Sequence, residues 1–183
     1  MNIASLTRVT VPAPVPRAVS GDVELRPLRP GDSAAVLAVF AGMSPRSREL
    51  RFLAPKPRLS TADVRRLTAV DRRDHVALLA TSAHKPIGIA RFIRDRNDPE
   101  SAEVAVAIVD HWHHQGVGST LLDALVQRAV EVGVRRFTAL VSHDNTAVHR
   151  LLHRSASGLS RIGMDRWTVE YAMSLEGERH EEG

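Results

Sequence analysis

The chain has 183 residues, of which 43% are hydrophobic and 25% charged, a composition typical of one soluble globular domain with a sizeable core. It contains no cysteine, which excludes disulfides, a thiolate nucleophile and cysteine-ligated zinc. The net charge is +4, but acidic and basic residues are interspersed and only 4% of residues are aromatic, which argues against nucleic-acid binding. No apolar run approaches the roughly 18 residues of a membrane helix and no signal peptide is recognisable, so we expect a cytoplasmic protein that does not enter a membrane.

The ends of the chain differ in composition from its middle. Residues 1–20 hold three prolines between small residues and are expected to form a flexible leader. The charged residues 176–183 are expected to form a tail, which leaves 21–175 as the folded domain.

The first half of the folded part is predicted to contain a strand, a helical region and two further strands. Asp32 and Ser44 are candidate helix N-caps, the latter followed by a proline at the first helical position, and Ser60 with Asp63 forms a capping box. Alternating or continuous apolar residues predict strands at 23–28, 75–81 and 87–95.

The second half is predicted to alternate strands with helices. Strands are expected at 104–109, 137–142 and 167–175, a long helix at about 117–132 ended by Gly133, and a short helix at 145–154. The predicted order of elements is therefore β-α-α-β-β-β-α-β-α-β.

The stretch 110–122, DHWHHQGVGSTLL, carries the strongest functional signal in the chain. It joins a strand to a helix through a loop with Gly116 and Gly118, where backbone amides can converge on one point without interference from a Cβ atom. The first turn of the helix adds unpaired N–H donors and the positive end of the helix dipole, so the pattern predicts an anion site, most often one for phosphate. No lysine stands where a Walker loop requires it, and Leu121 occupies the third glycine position of a Rossmann turn.

The hexapeptide HHQGVG at 113–118 resembles the Gln/Arg-x-x-Gly-x-Gly/Ala loop that holds the pyrophosphate of coenzyme A in the GNAT superfamily of acyl-CoA N-acyltransferases. His113 departs from the usual Gln or Arg, but the predicted order of elements is that of the superfamily. Four segments also resemble its bacterial Pat-type protein lysine acetyltransferases: SPRSRELRF at 44–52, AVDRRDHVALLA at 69–80, AEVAVAIVD at 102–110 and HDNTAVHRLL at 143–152. The resemblance implies an α/β fold with a central mixed, mostly antiparallel sheet, splayed at the cofactor site and flanked by helices.

The same resemblance implies acetyl-CoA as the cosubstrate. A backbone N–H of the central strand, at Ile108 or Val109, would grip the thioester carbonyl, and the pantetheine arm would pair with the splayed strands as an added strand does. Asn145 would cap the next helix, contact the pantetheine arm, or do both. We expect no metal site, because the histidines of the loop lie on a turn. The implied cofactor-binding residues are Ile108, Val109, His113, His114, Gln115, Gly116, Val117, Gly118, Ser119, Thr120 and Asn145.

Acyl transfer to an amine calls for a base, because a lysine amine with a pKa of about 10.4 is protonated at pH 7. Glu103 is our candidate catalytic residue, since GNAT lysine acetyltransferases often carry their base glutamate at this place on the central strand. A solvent-facing carboxylate without a catalytic part is the alternative, and Glu100 is a second candidate base. Leu152 stands where many GNAT enzymes carry a tyrosine as general acid, so this acid is missing or is replaced by Ser155, Ser157 or water.

The resemblance also implies that the segment around Arg51 and Phe52 helps to form the acceptor cleft, and these are our candidate substrate-binding residues. An amphipathic helix with exposed arginines is the alternative. Since positive charge there repels a protonated lysine, an acceptor flanked by carboxylates would fit better. The expected function is acetyl transfer from acetyl-CoA to a protein lysine or, failing that, a small amine. A coenzyme A-binding sensor without turnover and a basic nucleic-acid-binding protein are the alternatives.

Overall fold

The fold follows from a computed structural model that describes residues 22–155 and 158–175. Its strands are β1 Val23–Pro27, β2 His75–Ser82, β3 Lys85–Arg94, β4 Ser101–Ile108, β5 Arg136–Ser142, β6 Leu159–Met164 and β7 Thr168–Ser174. Its helices are α1 Ser33–Ala41, α2 Pro45–Phe52, α3 Thr61–Thr68, α4 Val117–Glu131 and α5 Thr146–Ser155, with a 3-10 turn, Asp110–Trp112, between β4 and α4. No helix in this part of the chain is long and apolar enough to cross a bilayer.

One seven-stranded sheet organises the molecule, in the order β1-β2-β3-β4-β5-β7-β6. All neighbouring strands are antiparallel except β4 and β5, which run parallel. These two strands pair over only three residues each, 101–103 with 136–138, and then diverge. The mixed, mostly antiparallel and splayed sheet expected from the sequence is therefore confirmed.

Helices cover the two faces of this sheet with separate hydrophobic clusters. On one face, α4 and α5 bury Leu121, Leu122 and Leu125 completely against side chains such as Phe92. On the other face, α1 and α3 pack on the half of the sheet that contains β2 and β3. Successive strand residues point to opposite faces, so each strand contributes to both clusters.

Local capping chemistry fixes several helix ends where the sequence predicts them. The Ser47 N–H donates to Ser44 Oγ (3.2 Å) at the start of α2, and Ser60 and Asp63 form a reciprocal capping box at the start of α3. Asp32 occupies the N-cap position of α1 but does not cap it. Its Oδ2 instead accepts hydrogen bonds from the Arg29 N–H (2.8 Å) and from Arg26 Nη1 (2.6 Å).

Two elements are additional to the predicted order. The predicted order counts two helices before β2, whereas the region holds three, one after each of the helix starts predicted at Asp32, Ser44 and the Ser60–Asp63 box. Strand β6 is not among the predicted strands, since its residues LSRIGM form an exposed edge strand with a register shift between Arg161 and Gly163, which breaks the polar–apolar alternation. The predicted leader 1–20 and tail 176–183 lie outside the described residues.

Candidate active site

A cleft of about 640 Å³ opens where β4 and β5 diverge. It lies within the range of about 300–1,000 Å³ that small-molecule and cofactor sites occupy. One end is formed by the loop before α4 and the start of that helix, and another part by α2. The predicted site residues that line the cleft are Arg51, Phe52, Glu103, Ile108, His113, His114, Gln115, Gly116, Val117, Gly118, Ser119 and Asn145.

The loop before α4 is shaped for backbone donors to face the cleft. Gly116 has φ +85° and occupies the N-cap position, so no side chain caps α4. The first hydrogen bond of the helix runs from the Thr120 N–H to the Gly116 carbonyl (3.0 Å), so the amides of Val117, Gly118 and Ser119 precede it. Three donors at the positive end of a fifteen-residue helix can therefore serve an anion. Thr120 does not line the cleft, and its amide is committed to the helix.

A side-chain methyl group at Gly118 would fit beside the cleft without displacing other protein atoms. A Cβ atom placed there would meet only Leu151, at 3.6 Å and 3.9 Å, which is ordinary van der Waals contact. Alanine is the better helix former by up to about 1 kcal/mol. Packing within the protein therefore does not require a glycine at position 118. The cleft, however, reaches the backbone at this residue.

One side-chain hydrogen bond ties the loop to the central strand, and a second lies within the segment between β4 and α4. His113 Nε2 lies 3.1 Å from the Ile108 carbonyl oxygen, and Gln115 Nε2 donates to the His111 carbonyl (2.6 Å). The imidazole at 113 therefore reaches back to the strand from which the loop departs, although a Gln or Arg is the residue usual there.

Asp110 connects this loop to α2 and was not identified from the sequence. Its Oδ2 accepts a hydrogen bond from the Ser44 N–H (3.1 Å), so the start of α2 is anchored to the end of β4. Burial acts to raise the pKa of Asp110, but hydrogen bonds from the Ser44 and Ser47 side chains outweigh it and lower the pKa below its ordinary value. An ionised Asp110 thus holds α2 beside the cleft.

The free edge of β4 offers backbone donors to the cleft at every second residue. The Val109 N–H donates to the Ile87 carbonyl (2.9 Å), so that amide is committed to the neighbouring strand. Since donors alternate between the two edges of an antiparallel strand, the amides of Val106 and Ile108 point the other way, toward the gap before β5. Of the two amides considered from the sequence, Ile108 is the one whose N–H faces the cleft.

The segment after β5 supplies the opposite wall. Asn145 lines the cleft, and its Oδ1 accepts a hydrogen bond from the Val148 N–H (3.2 Å), so this side chain caps α5. Leu152 also lines the cleft and is 3% exposed, so an aliphatic side chain stands where many GNAT enzymes carry a general acid. Ser155 ends α5, and Ser157 lies outside the described residues.

Glu103 projects from the face of β4 that is turned toward α2. Its neighbours Ala102 and Val104 point into the core, which leaves the Glu103 carboxylate exposed and lining the cleft. Arg51, near the end of α2, lines the same cleft. Burial lowers the pKa of Arg51, and the negative charge of Glu103 partly offsets this. The structure therefore brings the predicted base and the predicted acceptor-side arginine into one electrostatic environment.

The remaining histidines of the C-terminal half have structural contacts. His149 Nδ1 lies 3.0 Å from the Tyr171 hydroxyl, and its Nε2 lies 3.0 Å from the Ser142 carbonyl oxygen, so this ring links α5 to β5 and β7. Within residues 22–155 and 158–175, no three histidine or acidic side chains come together as a metal site would require.

Arg91 is a buried residue beside the acceptor-side arginine that the sequence analysis did not single out. It stands in the otherwise apolar run IGIARFI of β3 and is 5% exposed. The sequence does contain a sign of it, namely a single charged residue inside a strand that is buried on both faces. Such a residue is unusual because unpaired arginines are rarely buried.

A mixed sheet splayed between two parallel strands and flanked by helices is the architecture of the GNAT fold, and comparison with known proteins agrees. A sequence model of the acetyltransferase (GNAT) family matches residues 46–156. The chain therefore belongs to the GNAT family of acetyltransferases, which confirms the family and the enzyme class expected from the sequence.

Individual relatives show which members of the family the chain resembles. The chain is 36% identical over 132 residues to the acetyltransferase Pat of Mycolicibacterium smegmatis; the match covers 71% of this chain and spans 39% of the length of that protein. The GNAT domain of S. lividans PAT superimposes with a TM-score of 0.77 at 30% identity, covering 83% of this chain and 90% of that one. The fold is also that of yncA from Salmonella typhimurium, a structure that contains acetyl-CoA, with a TM-score of 0.67 at 16% identity over 85% of this chain and 95% of that one.

Proposed function

We propose that this chain transfers the acetyl group of acetyl-CoA to a primary amine, namely the side chain of a protein lysine, with Glu103 as the general base. The observation that supports this most directly is the cleft between β4 and β5. It has an uncapped helix N-terminus with unpaired amides at one end, and the carboxylate of Glu103 among its lining residues.

The residues of the cleft fit coenzyme A. The amides of Val117, Gly118 and Ser119 would bind the diphosphate, and the absence of a side chain at Gly118 allows it to approach the backbone. The amide edge of β4 at Val106 and Ile108 would pair with pantetheine, whose amide groups resemble a peptide. The cosubstrate supplies the activated acetyl thioester, and the chain supplies the groups that orient it.

Glu103 would take the proton that the attacking amine must lose. Deprotonating a lysine at pH 7 costs about 4–5 kcal/mol, given a pKa of about 10.4 and about 1.36 kcal/mol per unit. The new bond forms between the amine nitrogen and the acetyl carbon, the carbon–sulfur bond breaks, and the sulfur leaves as a thiolate. The second proton that the nitrogen loses in becoming an amide passes through water to this thiolate. The Ile108 N–H would stabilise the negative charge that develops on the carbonyl oxygen.

The leaving group does not need an acid from α5. A thiol has a pKa near 8.5, so its thiolate is a tolerable leaving group that water can protonate. A cleft with Leu152 in place of a tyrosine is consistent with this chemistry. A protein lysine as acceptor rests on the similarity to the Pat proteins described above.

The proposal is tested by the release of coenzyme A from acetyl-CoA in the presence of lysine peptides and small amines. The chain has no cysteine, so a thiol reagent detects the product without background from the protein. Glu103→Gln is expected to keep the affinity for acetyl-CoA and to lower kcat by about 10²- to 10⁴-fold, the usual contribution of a general base. Glu100→Gln, which changes the loop glutamate considered as the second candidate, is the matched control and should retain activity.

The outcomes separate the candidate functions. Acetyl-CoA binding without turnover of any amine would indicate a sensor, and turnover of small amines alone would move the acceptor to a small molecule. Equal kcat for Glu103→Gln and the unaltered chain would remove Glu103 from the mechanism.

A further inference from the structure

Arg51 is a partly buried cation without a hydrogen-bonding partner among the described residues. It lies near the end of α2 and lines the main cleft. Among the residues that the structure describes, its guanidinium forms no hydrogen bond and has no carboxylate within 4.0 Å; Arg51 Cζ lies 5.1 Å from the centroid of the Phe52 ring. A guanidinium has five N–H donors, and leaving them unpaired away from water is costly.

A second guanidinium lies on the same side of the sheet, even more deeply buried. Arg91 is 5% exposed, and its Nη1 donates to the Leu67 carbonyl (2.7 Å) and lies 3.1 Å from His75 Nε2. His75 Nδ1 lies 2.9 Å from the Ala69 carbonyl oxygen, so Nδ1 carries the proton and Nε2 accepts from Arg91. The imidazole is therefore neutral and does not balance the charge of Arg91.

The two arginines lie close enough for the charge of Arg51 to act on Arg91. Burial, and then the charge of Arg51, lower the pKa of Arg91 to about 9, which leaves it charged at neutral pH. No carboxylate in the described part of the chain forms an ion pair with either arginine. Glu103 is the one carboxylate that acts on Arg51, and under the proposed function it works as a base. The two guanidinium groups thus carry two positive charges, and the Glu103 carboxylate supplies a single negative charge.

A small cavity of about 30 Å³ lies beside the pair. Arg51 and Arg91 both line it, together with apolar side chains such as Val39 and Leu67. Arg51 and Phe52 line the main cleft as well, so these two side chains border both spaces. The planar fork of a guanidinium matches a carboxylate in geometry, and a carboxylate is the anion that the side chains of a polypeptide carry.

We infer that Arg51, supported by Arg91, binds a carboxylate of the acceptor, so that the substrate is a lysine with an acidic residue close to it in the polypeptide. This inference rests on the proposed function, because it assigns the acceptor of the same cleft. The bound carboxylate would restore charge balance around the two guanidinium groups. It would also offset the repulsion between these groups and the lysine ammonium as it enters.

The experiment compares peptides that contain one lysine between glycines and alanines, blocked at both ends. In one series a glutamate stands at a single position from −4 to +4 relative to the lysine, and in the other series a glutamine replaces it. A charge-assisted hydrogen bond predicts a kcat/KM that is about 10- to 100-fold higher for the glutamate peptide at one or two positions, mainly through KM. Coenzyme A release measures both constants.

Variants of Arg51 test whether the guanidinium is responsible. In Arg51→Gln the ratio of kcat/KM between the glutamate and glutamine peptides should fall to about 1, and Arg51→Lys should give an intermediate ratio because its ammonium cannot pair bidentately. Arg65→Gln removes the same charge from an exposed position on α3 and should keep the ratio of the unaltered chain. Thermal denaturation of each variant checks that the fold is retained.

The possible results distinguish failure of the inference from failure of the proposed function. Equal turnover of glutamate and glutamine peptides at every position, or a ratio that Arg51→Gln leaves unchanged, would overturn the inference while the transferase function stands. Acetylation of small amines without any peptide would overturn the inference and the protein acceptor together. Failure to bind acetyl-CoA would instead refute the proposed function itself.

Discussion

Replacing Gly118 with alanine separates the stability of the fold from the proposed diphosphate site. In the free protein the new methyl group would touch only Leu151, at 3.6 Å and 3.9 Å, so no atom has to move. Alanine in a helix gains up to about 1 kcal/mol over glycine. For a chain of this size 1 kcal/mol shifts Tm by roughly 2–4 °C, so Gly118→Ala should melt at the same temperature or a few degrees higher.

The affinity for coenzyme A should change in the opposite direction. A Cβ atom tilts toward the N-terminus of its helix, so the methyl group would hinder the approach of a diphosphate to the amides of Val117, Gly118 and Ser119. Loss of one charge-assisted hydrogen bond costs about 1.5–3 kcal/mol, which corresponds to a rise of roughly 10- to 150-fold in Kd. Isothermal titration calorimetry with coenzyme A measures this directly.

Gly133→Ala is the matched control, which should change the stability of the fold and leave the binding of coenzyme A unchanged. Gly133 follows the end of α4 with φ +86°, and no atom lies within 4 Å of the place that a methyl group would take, so the cost is conformational. A left-handed alanine costs roughly 1–2 kcal/mol, and Tm should fall while the Kd of coenzyme A stays unchanged. If Gly118→Ala is folded and binds coenzyme A within twofold of the unaltered chain, the amides at the start of α4 do not hold the diphosphate.

Two further changes test Asn145 and Asp63. Asn145→Ala should lower the free energy of unfolding by about 1 kcal/mol through loss of the α5 cap, whereas Asn145→Ser keeps the cap. An increased KM for acetyl-CoA in the serine variant would reveal a separate contact between Asn145 and the ligand. An unchanged KM would exclude such a contact. The hydrogen bond from Lys56, together with the capping contacts of Ser60, holds the pKa of Asp63 well below its ordinary value. Because the folded pKa is depressed, this stabilisation is present above about pH 4 and is lost as pH falls toward the folded pKa. Asp63→Asn should therefore show a smaller loss of stability between pH 5 and pH 3 in urea denaturation than the unaltered chain, and an identical loss would contradict this assignment.

Local chemistry explains why much of the fold was predictable. Ser44, the Ser60–Asp63 box, Gly133 and Asn145 each act on neighbours within four residues, so their roles can be inferred from the sequence alone. The loop at 113–118 likewise joins adjacent elements, and its residues line the cleft as a group.

The features that escaped prediction depend on contacts between distant segments. Asp110 accepts a hydrogen bond from Ser44, 66 residues away, and nothing beside it in the sequence indicates this. Arg91 becomes a buried cation only because α3 packs over β3 and supplies the Leu67 carbonyl. Strand β6 owes its existence to pairing with β7, since its own residues lack the alternation from which a strand is inferred.

The brief pairing of β4 with β5 leaves a seam across the middle of the sheet, and beyond residues 103 and 138 the two halves are not held by the ladder. A ligand seated in this seam would act as a missing strand and complete the backbone pairing that the chain leaves open. At a concentration about 100 times its Kd it would add about 2.7 kcal/mol to the free energy of unfolding. Acetyl-CoA would then be a structural element of the protein as well as its acetyl donor, and amide exchange along both edges of the seam should slow when it binds.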